Sequence, residues 1–352
     1  MAGSEPARAV TLREIAARAS LSVSAVSMAL QDHPRIGRAT KERVRAIADE
    51  LGYVANAAGR ALRARRADAI AVIVPNTGHH VFGHAYFMHV LTGVTDVAND
   101  HDAQLVVSTN PEASPDEAHG ATAYERVMRS GSVDGAIVTS ASVTDAGMIR
   151  LVEAGLPVVL LGRFPGVPDA VSVGVDDRDA ARRATEHLIV VHDRRDLVHL
   201  SGPLDHQTAI DRRDGFLDAV AAAGVEGRVL EGDFSEETGR RIARTVLAAD
   251  PFDALVAAND EMAFGAMTEL LALGRDVPRD LAIVGFDDFG LSRVTTPGIA
   301  TMHVPAERMA RLATERLFDL VSGVRPTADE AHLVLPVDFV PRASCGCGAR
   351  TT

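Results

Sequence analysis

Near the start of the chain, apolar and polar positions follow the period of short amphipathic helices. The first apolar stripe falls at helical spacing on Leu12, Ile15, Ala16 and Ala19. Thr11 and Glu14 stand where a capping box would begin this helix. After a turn at Ser20-Leu21, Ser22 is placed to cap a second helix that continues to about Leu30. Two such helices across a tight turn predict the core of a helix-turn-helix.

A third helix, from about Thr40 to Leu51, is predicted to support this pair, and Gly52 ends it. Its apolar face consists of Val44, Ile47, Ala48 and Leu51. In a helix-turn-helix, the first positions of the second helix enter the major groove of DNA. The exposed positions are small or apolar here: Val23, Ser24, Ala25, Ser27 and Met28. They suit thymine methyl groups and hydroxyl contacts better than bidentate contacts with guanine.

Beyond residue 67, strand-like apolar runs alternate with amphipathic helices, which is typical of parallel sheets covered by helices. A first series of strands is predicted at about 70–74, 104–108, 135–139 and 158–161. A second series is predicted at about 171–175, 197–201, 228–231, 254–257 and 282–286, followed by strands at about 300–303 and 333–337. The sequence therefore predicts an α/β body of two doubly wound parallel-sheet lobes with a ligand cleft between their strand ends.

Charge divides the 352-residue chain into a basic head and an acidic body. The formal net charge is -12, yet residues 1–66 contain 12 Arg and Lys against 6 Asp and Glu. The remaining residues contain 24 Arg and Lys against 42 Asp and Glu. This asymmetry directs the attraction for nucleic-acid phosphates to one end of the molecule.

Targeting and metal signals are weak in this sequence. No apolar run reaches the roughly 18 residues that span a bilayer, and residues 1–10 lack the apolar core of a signal peptide. We therefore expect a cytoplasmic protein without membrane attachment. Cys345 and Cys347 are too few for a four-ligand zinc site, so neither a metal nor a cofactor is predicted. His80 and His84 have the spacing of metal-ligand pairs, but without a nearby acid or cysteine an effector contact is the favoured interpretation.

Several motifs of the head occur together and in order: Val10-Thr11-Leu12, Ala25-Val26-Ser27, Arg43-Val44, Leu51-Gly52-Tyr53-Val54-Ala55-Asn56 and Arg60-Ala61-Leu62. With this gap-free spacing, the head resembles the lactose-repressor (LacI) family of bacterial transcription regulators. The resemblance implies a hinge helix from Asn56 to Leu62, with Leu62 as an apolar wedge in the minor groove of the operator. Three residues depart from the family pattern: Ala55 replaces a proline, Met28 an arginine and Ser20 a glycine.

The body carries further motifs in the family's order: Val175-Asp176-Asp177, His187-Leu188, Ser201-Gly202-Pro203, Arg212-Arg213-Asp214-Gly215-Phe216, Ala258-Asn259-Asp260 and Val284-Gly285-Phe286-Asp287-Asp288. They resemble the family's effector domain, which is like a periplasmic binding protein. The resemblance implies a DNA-binding domain at 1–55, a hinge and linker at 56–66, and an effector domain at 67–352. Lobe 1 is expected at about 67–170 and 299–332, and lobe 2 at about 171–298 and 333–352, so the chain crosses between the lobes three times.

The same resemblance implies two sets of contact residues. Those expected to contact DNA are Thr11, Leu12, Ser22, Val23, Ser24, Ala25, Ser27 and Met28, with Asn56, Arg60 and Leu62 from the hinge. Those expected to bind the effector are Phe82, Thr139, Arg163, Thr208, Arg212, Phe234, Asn259 and Asp287. Their guanidinium, amide, carboxylate and ring groups suit a sugar and would suit a nucleobase nearly as well.

Taken together, the sequence predicts a homodimeric repressor that reads a palindromic operator in double-stranded DNA, with its affinity reset by a small molecule, favoured to be a sugar. A regulator that responds to a purine or another metabolite as corepressor is the main alternative. A sugar-binding carrier with the same two-lobed fold is disfavoured by the basic head. An enzyme is disfavoured because the usual catalytic motifs are missing, including the nucleophile elbow, the phosphate loop and the His-Glu-x-x-His zinc motif.

Overall fold

The computed structural model describes residues 10–53, 67–110, 122–248 and 252–348. The chain separates into two compact units, Met1–Ala67 and Asp68–Thr352, which correspond closely to the predicted head and body. The predicted hinge contacts Asn56, Arg60 and Leu62 lie outside the described residues.

The head contains three helices, α1 (Leu12–Ala19), α2 (Val23–Leu30) and α3 (Arg38–Leu51). The carboxylate of Glu14 accepts hydrogen bonds from the backbone amide of Thr11 at 2.6 Å and from its hydroxyl at 2.9 Å, which begins α1 as predicted. The predicted apolar faces meet in one core, whose fully or nearly buried members are Ile15, Ala16, Ala19, Val26, Ala29, Val44 and Ala48. Each helix is too short to be stable alone, so this shared core holds the unit together.

Within the described part of the body, two six-stranded sheets form the two lobes. The first sheet has the order β2-β1-β3-β4-β5-β11, with strands β1 (Ala69–Thr77), β2 (Gln104–Asn110), β3 (Gly135–Thr139), β4 (Val158–Leu161), β5 (Ser172–Val175) and β11 (His332–Leu335). The second has the order β7-β6-β8-β9-β10-β12, with strands β6 (Asp196–Ser201), β7 (Glu226–Glu231), β8 (Ala254–Ala257), β9 (Ala282–Asp287), β10 (Ala300–His303) and β12 (Asp338–Val340). The described pairs are parallel except for β12, which runs antiparallel to β10 at the sheet edge.

The body helices that follow these strands in the chain are, in order, α4 (Gly78–Gly83), α5 (Ala85–Asp100), α6 (Ala123–Ser130), α7 (Ala146–Glu153), α8 (Asp177–His192), α9 (Gln207–Ala223), α10 (Glu236–Ile242), α11 (Asp260–Ala272), α12 (Leu291–Val294) and α13 (Ala306–Val321). A π-helical turn, Ala243–Leu247, continues α10. Short 3₁₀ turns occur at Ala328–Glu330 and Ala343–Cys345. Among the described residues, no helix combines the length and the apolar character that crossing a membrane requires.

The predicted lobe boundaries need correction. β5 and β11 were both expected in lobe 2, but they pair with each other in the first sheet, where β5 also pairs with β4. β10 was assigned to lobe 1 but pairs with β9 in the second. Along the described chain the three predicted crossings do occur, each a few residues later, after β5, β10 and β11. Alternation of strands and helices does not reveal which sheet edge accepts a strand, because either edge offers the same backbone hydrogen bonds.

Candidate effector cleft and DNA-reading helix

The second helix of the head presents the predicted face outward. The Ser22 hydroxyl oxygen accepts from the backbone amide of Ala25 at 3.2 Å and so caps α2. Val26 and Ala29 point into the core, whereas Ser24 is exposed and Val23 is 42% exposed. Exposed positions at the start of this helix are the ones that a helix-turn-helix presents to DNA base edges. Contact with DNA remains a prediction for each of the head residues named above.

The body contains a cleft between its lobes, with an empty volume of about 910 Å³ that includes the solvent at its mouth. Polar residues line it at the carboxyl ends of parallel strands: Thr139 at β3, Arg163 beyond β4, Asp177 beyond β5, Asn259 beyond β8 and Asp287 at β9. Ligands of doubly wound sheets bind at these strand ends. The cleft is therefore the candidate effector site.

Arg212 is the buried centre of this site. Its side chain is 8% exposed, and its Nε donates to Oδ1 of Asp177 at 2.8 Å. Its Nη1 donates to the backbone oxygen of Ala258 and lies 3.6 Å from Oδ1 of Asp287. The guanidinium plane stacks on the ring of Phe286, with 3.6 Å between Cζ and the ring centroid. Because several groups contact its planar guanidinium group, the side chain of Arg212 has a fixed orientation before any ligand binds.

The two carboxylates beside Arg212 have unusual electrostatics. Burial raises the pKa of Asp287 well above its ordinary value, and the opposing attraction of Arg212 only partly offsets this. Burial likewise raises the pKa of Asp177, again against the influence of Arg212. Asp287 also has a φ of 116°, a backbone conformation that an aspartate rarely adopts. Strain and raised pKa values concentrate at functional sites, which supports a binding role for this cluster.

An aromatic ring and an amide complete the wall formed by lobe 2. Asn259 caps α11, because its Oδ1 accepts from the amide of Met262 at 3.0 Å. Its Nδ2 donates to the backbone oxygen of Phe234 at 2.7 Å and to Oε2 of Glu261 at 2.9 Å. The Phe234 ring lies against Gly202, where an added Cβ would come within 2.1 Å of the ring. Glycine at 202 therefore allows this ring to form part of the cleft.

Contacts across the mouth connect the two lobes. Nη2 of Arg163 in lobe 1 lies 3.3 Å from Oδ1 of Asp211 in lobe 2. The backbone amide of Val143 donates to the backbone oxygen of Asp205 at 2.7 Å. Deeper inside, the Tyr86 hydroxyl is 3.2 Å from Oγ1 of Thr139, and burial raises the pKa of Tyr86 to about 12. The lobes therefore meet through polar contacts at the mouth and through aromatic contacts, since the rings of Tyr86 and His89 in lobe 1 pack against Phe289 in lobe 2.

Comparison with known proteins identifies the family. Residues 11–56 match the bacterial regulatory proteins of the lacI family, and residues 185–345 match the periplasmic binding protein-like domain. The HTH-type transcriptional regulator CelR of Thermobifida fusca is 33% identical over 346 residues, which cover 97% of this chain and 99% of that protein. The chain belongs to the lacI family of bacterial regulatory proteins.

Other members of the lacI family agree with this assignment. The HTH-type transcriptional regulator GntR of Escherichia coli (strain K12) is 29% identical over 89% of this chain and 92% of that protein. The structure of a transcriptional regulator CelR-cellobiose complex has a TM-score of 0.71 and 30% identity, covering 95% of this chain and 99% of that one. The lac repressor dimer bound to operator and the anti-inducer ONPF has the same fold, with a TM-score of 0.81 at 23% identity over 96% of this chain and 99% of that one. This lacI-family protein is a DNA-binding transcriptional regulator.

The structure brings most of the predicted effector residues of this regulator together. The cleft is lined by Thr139, Arg163, Thr208, Arg212, Phe234, Asn259 and Asp287. Phe82 is a correction: its side chain in α4 is 65% exposed and is not among the lining residues. The resemblance to the family implies Phe82 by its position in the chain, whereas a helix presents each side chain in a direction that sequence position alone does not fix.

Several lining residues were not predicted. They include Tyr86, Phe87, Asp177, Gln207 and Glu261. Asp177 had a usable signal, because it directly follows a strand in the motif Val175-Asp176-Asp177. His84, from the predicted histidine stretch, does line the cleft, whereas the side chains of His79 and His80 lie outside the described part of the structure.

Asp260, beside the cleft, predicts a pH dependence of stability. Asp260 is 2% exposed, and burial raises the pKa of its carboxyl group to about 7. Below pH 7 the folded state holds a proton that the unfolded chain releases at lower pH, so stability is lost as pH rises through 7. Between about pH 6 and pH 8, the free energy of unfolding of wild type should fall by roughly 1 kcal/mol more than that of Asp260→Asn. Urea unfolding at both pH values measures this difference. Asparagine keeps an oxygen to accept from the amide of Asp288, now 2.9 Å from Oδ2. Equal pH slopes in the two proteins would contradict this prediction.

Proposed function

We propose that this regulator is a repressor whose operator affinity is reset by a neutral sugar bound between the lobes. The observation that carries the proposal is the fixed cluster of Arg212, Asp177 and Asp287 at the strand ends of the cleft. A guanidinium and carboxylates can each grip two neighbouring hydroxyl groups, and the Phe234 ring can cover the apolar face of a sugar. The similarity to a regulator described in complex with cellobiose supports the same ligand class.

The charges of the cleft favour a neutral ligand over an anionic one. Three carboxylates line it, those of Asp177, Glu261 and Asp287. Against them stand two guanidinium groups, and Arg212 is already engaged by two of the carboxylates. Arg163, the other guanidinium, lies 3.3 Å from Oδ1 of Asp211 at the mouth, so a sugar acid or phosphate would face the buried acids with both cations already paired, which costs free energy. Hydroxyl groups, in contrast, can donate to all three carboxylates.

A homodimer reading a palindromic operator is part of this proposal. One reading helix contacts only a half-site, so two heads related by a two-fold axis are needed to read both halves. The fold shared with a lac repressor dimer bound to operator supports this arrangement. Analytical ultracentrifugation of the protein with a palindromic duplex should show two chains per duplex. One chain per duplex at saturation would contradict the dimer.

A thermal-shift screen tests the ligand class directly. Cellobiose and other neutral glycosides, sugar acids and purines would each be added to the full-length protein. A ligand at 100 times its dissociation constant should stabilise the folded state by about 2.7 kcal/mol. Stabilisation by neutral sugars is expected. Stabilisation only by a purine or a sugar acid would contradict a neutral sugar as the ligand. It would not contradict the function as a transcriptional regulator.

Leu62 provides a prediction for DNA binding that comes from the hinge motif. An apolar wedge contributes binding free energy only where the duplex is kinked, so Leu62→Ala should weaken operator binding with little effect on random DNA. Fluorescence anisotropy with both duplexes measures the ratio of the two affinities. The same loss on both duplexes would mean that Leu62 acts by packing rather than as a wedge.

A further inference from the structure

Two cysteines near the end of the chain and two histidines of α8 come together in lobe 2. The nearest ligand atoms of His187, His192, Cys345 and Cys347 all lie within 4.8 Å of one another. Nε2 of His192 is 3.1 Å from Nε2 of His187 and 3.3 Å from Sγ of Cys347. Sγ of Cys347 is 3.4 Å from Nε2 of His187. Four donor atoms of the kinds that bind zinc thus converge on one point.

These spacings are close to those of a tetrahedral metal site. Zinc bonds of about 2.0–2.1 Å to nitrogen and about 2.3 Å to sulfur place tetrahedral N–N edges near 3.3 Å and N–S edges near 3.6 Å. The N–N distance of 3.1 Å and the N–S distances of 3.3 and 3.4 Å differ from these edges by about 0.2–0.3 Å. The donors of His187, His192 and Cys347 would need only a small expansion to hold a metal ion, and Sγ of Cys345 lies within 4.8 Å of each of them.

The backbone around the cysteines is shaped for this approach. Gly346 has a φ of 106°, and an added Cβ there would lie 2.9 Å from Nδ1 of His192. Only glycine allows the chain to pass over the imidazole at this point. The preceding Ser344 is fully buried; its hydroxyl donates to the backbone oxygen of Ile283 at 2.6 Å and accepts from the amide of Ala300 at 2.8 Å. The cysteine segment is thereby attached to β9 and β10.

The histidines are held as firmly as the cysteines. His187 and His192 both project from α8, a regular helix of 16 residues. The His187 ring packs on Phe339 of β12, with 4.3 Å between the ring centroids. Ligands on rigid elements keep their geometry before the metal binds, which raises affinity.

We propose that His187, His192, Cys345 and Cys347 bind one Zn²⁺ ion in a closed structural site. Two thiolates with two imidazoles form a donor set that selects zinc among common cellular metals. Four protein ligands leave no coordination position for a substrate, so the site is structural. It fastens the end of the chain to one end of α8, whose other end carries Asp177 at the effector cleft.

The metal content of the full-length protein tests this proposal. Protein purified with reductant and dialysed against zinc should contain about one zinc ion per chain, as measured by inductively coupled plasma mass spectrometry. Replacement by Co²⁺ should give the visible absorption of a tetrahedral site together with a thiolate-to-metal band. Cys347→Ser should weaken zinc binding at least about tenfold and reduce the thiolate band, because it removes one of two sulfur ligands.

His101→Gln is the matched control, because His101 directly follows α5, also a helix of 16 residues, but is not part of the cysteine cluster. It should bind zinc as wild type does. A strong chelator should lower the melting temperature of wild type and of this control, with little effect on Cys347→Ser. The proposal would be overturned if wild type bound no zinc or if Cys347→Ser bound zinc as well as wild type does. A Cys345–Cys347 disulfide in freshly purified protein would also overturn it. A bound metal other than zinc would overturn the assignment of the ion.

Discussion

Operator binding should weaken by about 10³–10⁵ when the salt concentration rises from about 50 to 200 mM. Residues 1–66 carry 12 basic side chains against 6 acidic ones, whereas the whole chain has a net charge of -12. The basic charge is therefore concentrated where the reading helix lies. A dimer that makes roughly 6–10 phosphate contacts releases a counterion at each one, and added salt opposes that release.

Ion pairs within the head should not suppress this effect. Asp32, for example, lies 3.2 Å from Nη2 of Arg45, and both side chains are more than half exposed. Pairs on an exposed surface contribute at most about 1 kcal/mol, so phosphates can replace these carboxylates as partners.

Fluorescence anisotropy at several salt concentrations measures the slope of log affinity against log salt. Binding of a neutral sugar, followed over the same salt range, is the internal control and should change little. A slope near zero for DNA would contradict electrostatic binding of DNA by the head, whatever ligand the body binds.

The fold of both units was largely predictable because its signals are local. Helix caps at Thr11 and Ser22, the stripe on α1, and alternating strands and helices all depend on neighbours in sequence. Lobe membership was not predictable from them, since β5 and β10 are both short apolar strands that either sheet could accept. Long-range pairing decides their place.

The residues of the candidate site were also predictable only in part. Asp287 and Asn259 follow strands directly, so their position at the strand ends was visible in the sequence. Tyr86 reaches the cleft from α5 because of how the helix packs, and no spacing rule indicates this. The cluster of His187, His192, Cys345 and Cys347 shows the limit most clearly. Two cysteines alone are too few for a zinc site, and the two histidines join them only through tertiary packing, which the sequence does not reveal.

Removing the charge of Arg212 should have a large effect on the body, on both ligand binding and stability. In Arg212→Met, Asp177 and Asp287 stay buried but lose the group that lies 2.8 and 3.6 Å from them. Breaking a buried ion pair on one side typically costs about 3–5 kcal/mol. Arg213→Met is the matched control, because the neighbouring Arg213 has a side chain 29% exposed and pairs with Asp214. Its effect on the free energy of unfolding should stay within about 1 kcal/mol.

The pH dependence of this loss identifies its cause. Arg212 lowers the pKa of both Asp177 and Asp287, whose pKa values burial already raises. Without Arg212 both values rise further, so the folded variant takes up protons more readily than the unfolded chain as the pH falls. The stability difference between wild type and Arg212→Met should therefore narrow from neutral to acidic pH. A difference that is constant with pH would indicate lost packing on Phe286 rather than uncompensated charge.

Asp287→Asn tests the ligand role separately from folding, because asparagine has nearly the same shape and leaves no buried charge behind. Losing one charge-assisted hydrogen bond to the effector should weaken binding by about 1.5–3 kcal/mol, or roughly 10- to 150-fold. An effector switches a regulator only through its different affinities for the two arrangements of the lobes, so weaker binding blunts the response of operator affinity. Calorimetric titration of wild type, Asp287→Asn and Arg213→Met with the identified sugar measures the three affinities, and circular dichroism confirms folding. Wild-type affinity in folded Asp287→Asn would place the ligand away from the Arg212 cluster. An equal loss in Arg213→Met would show that the loss of binding is not specific to Asp287.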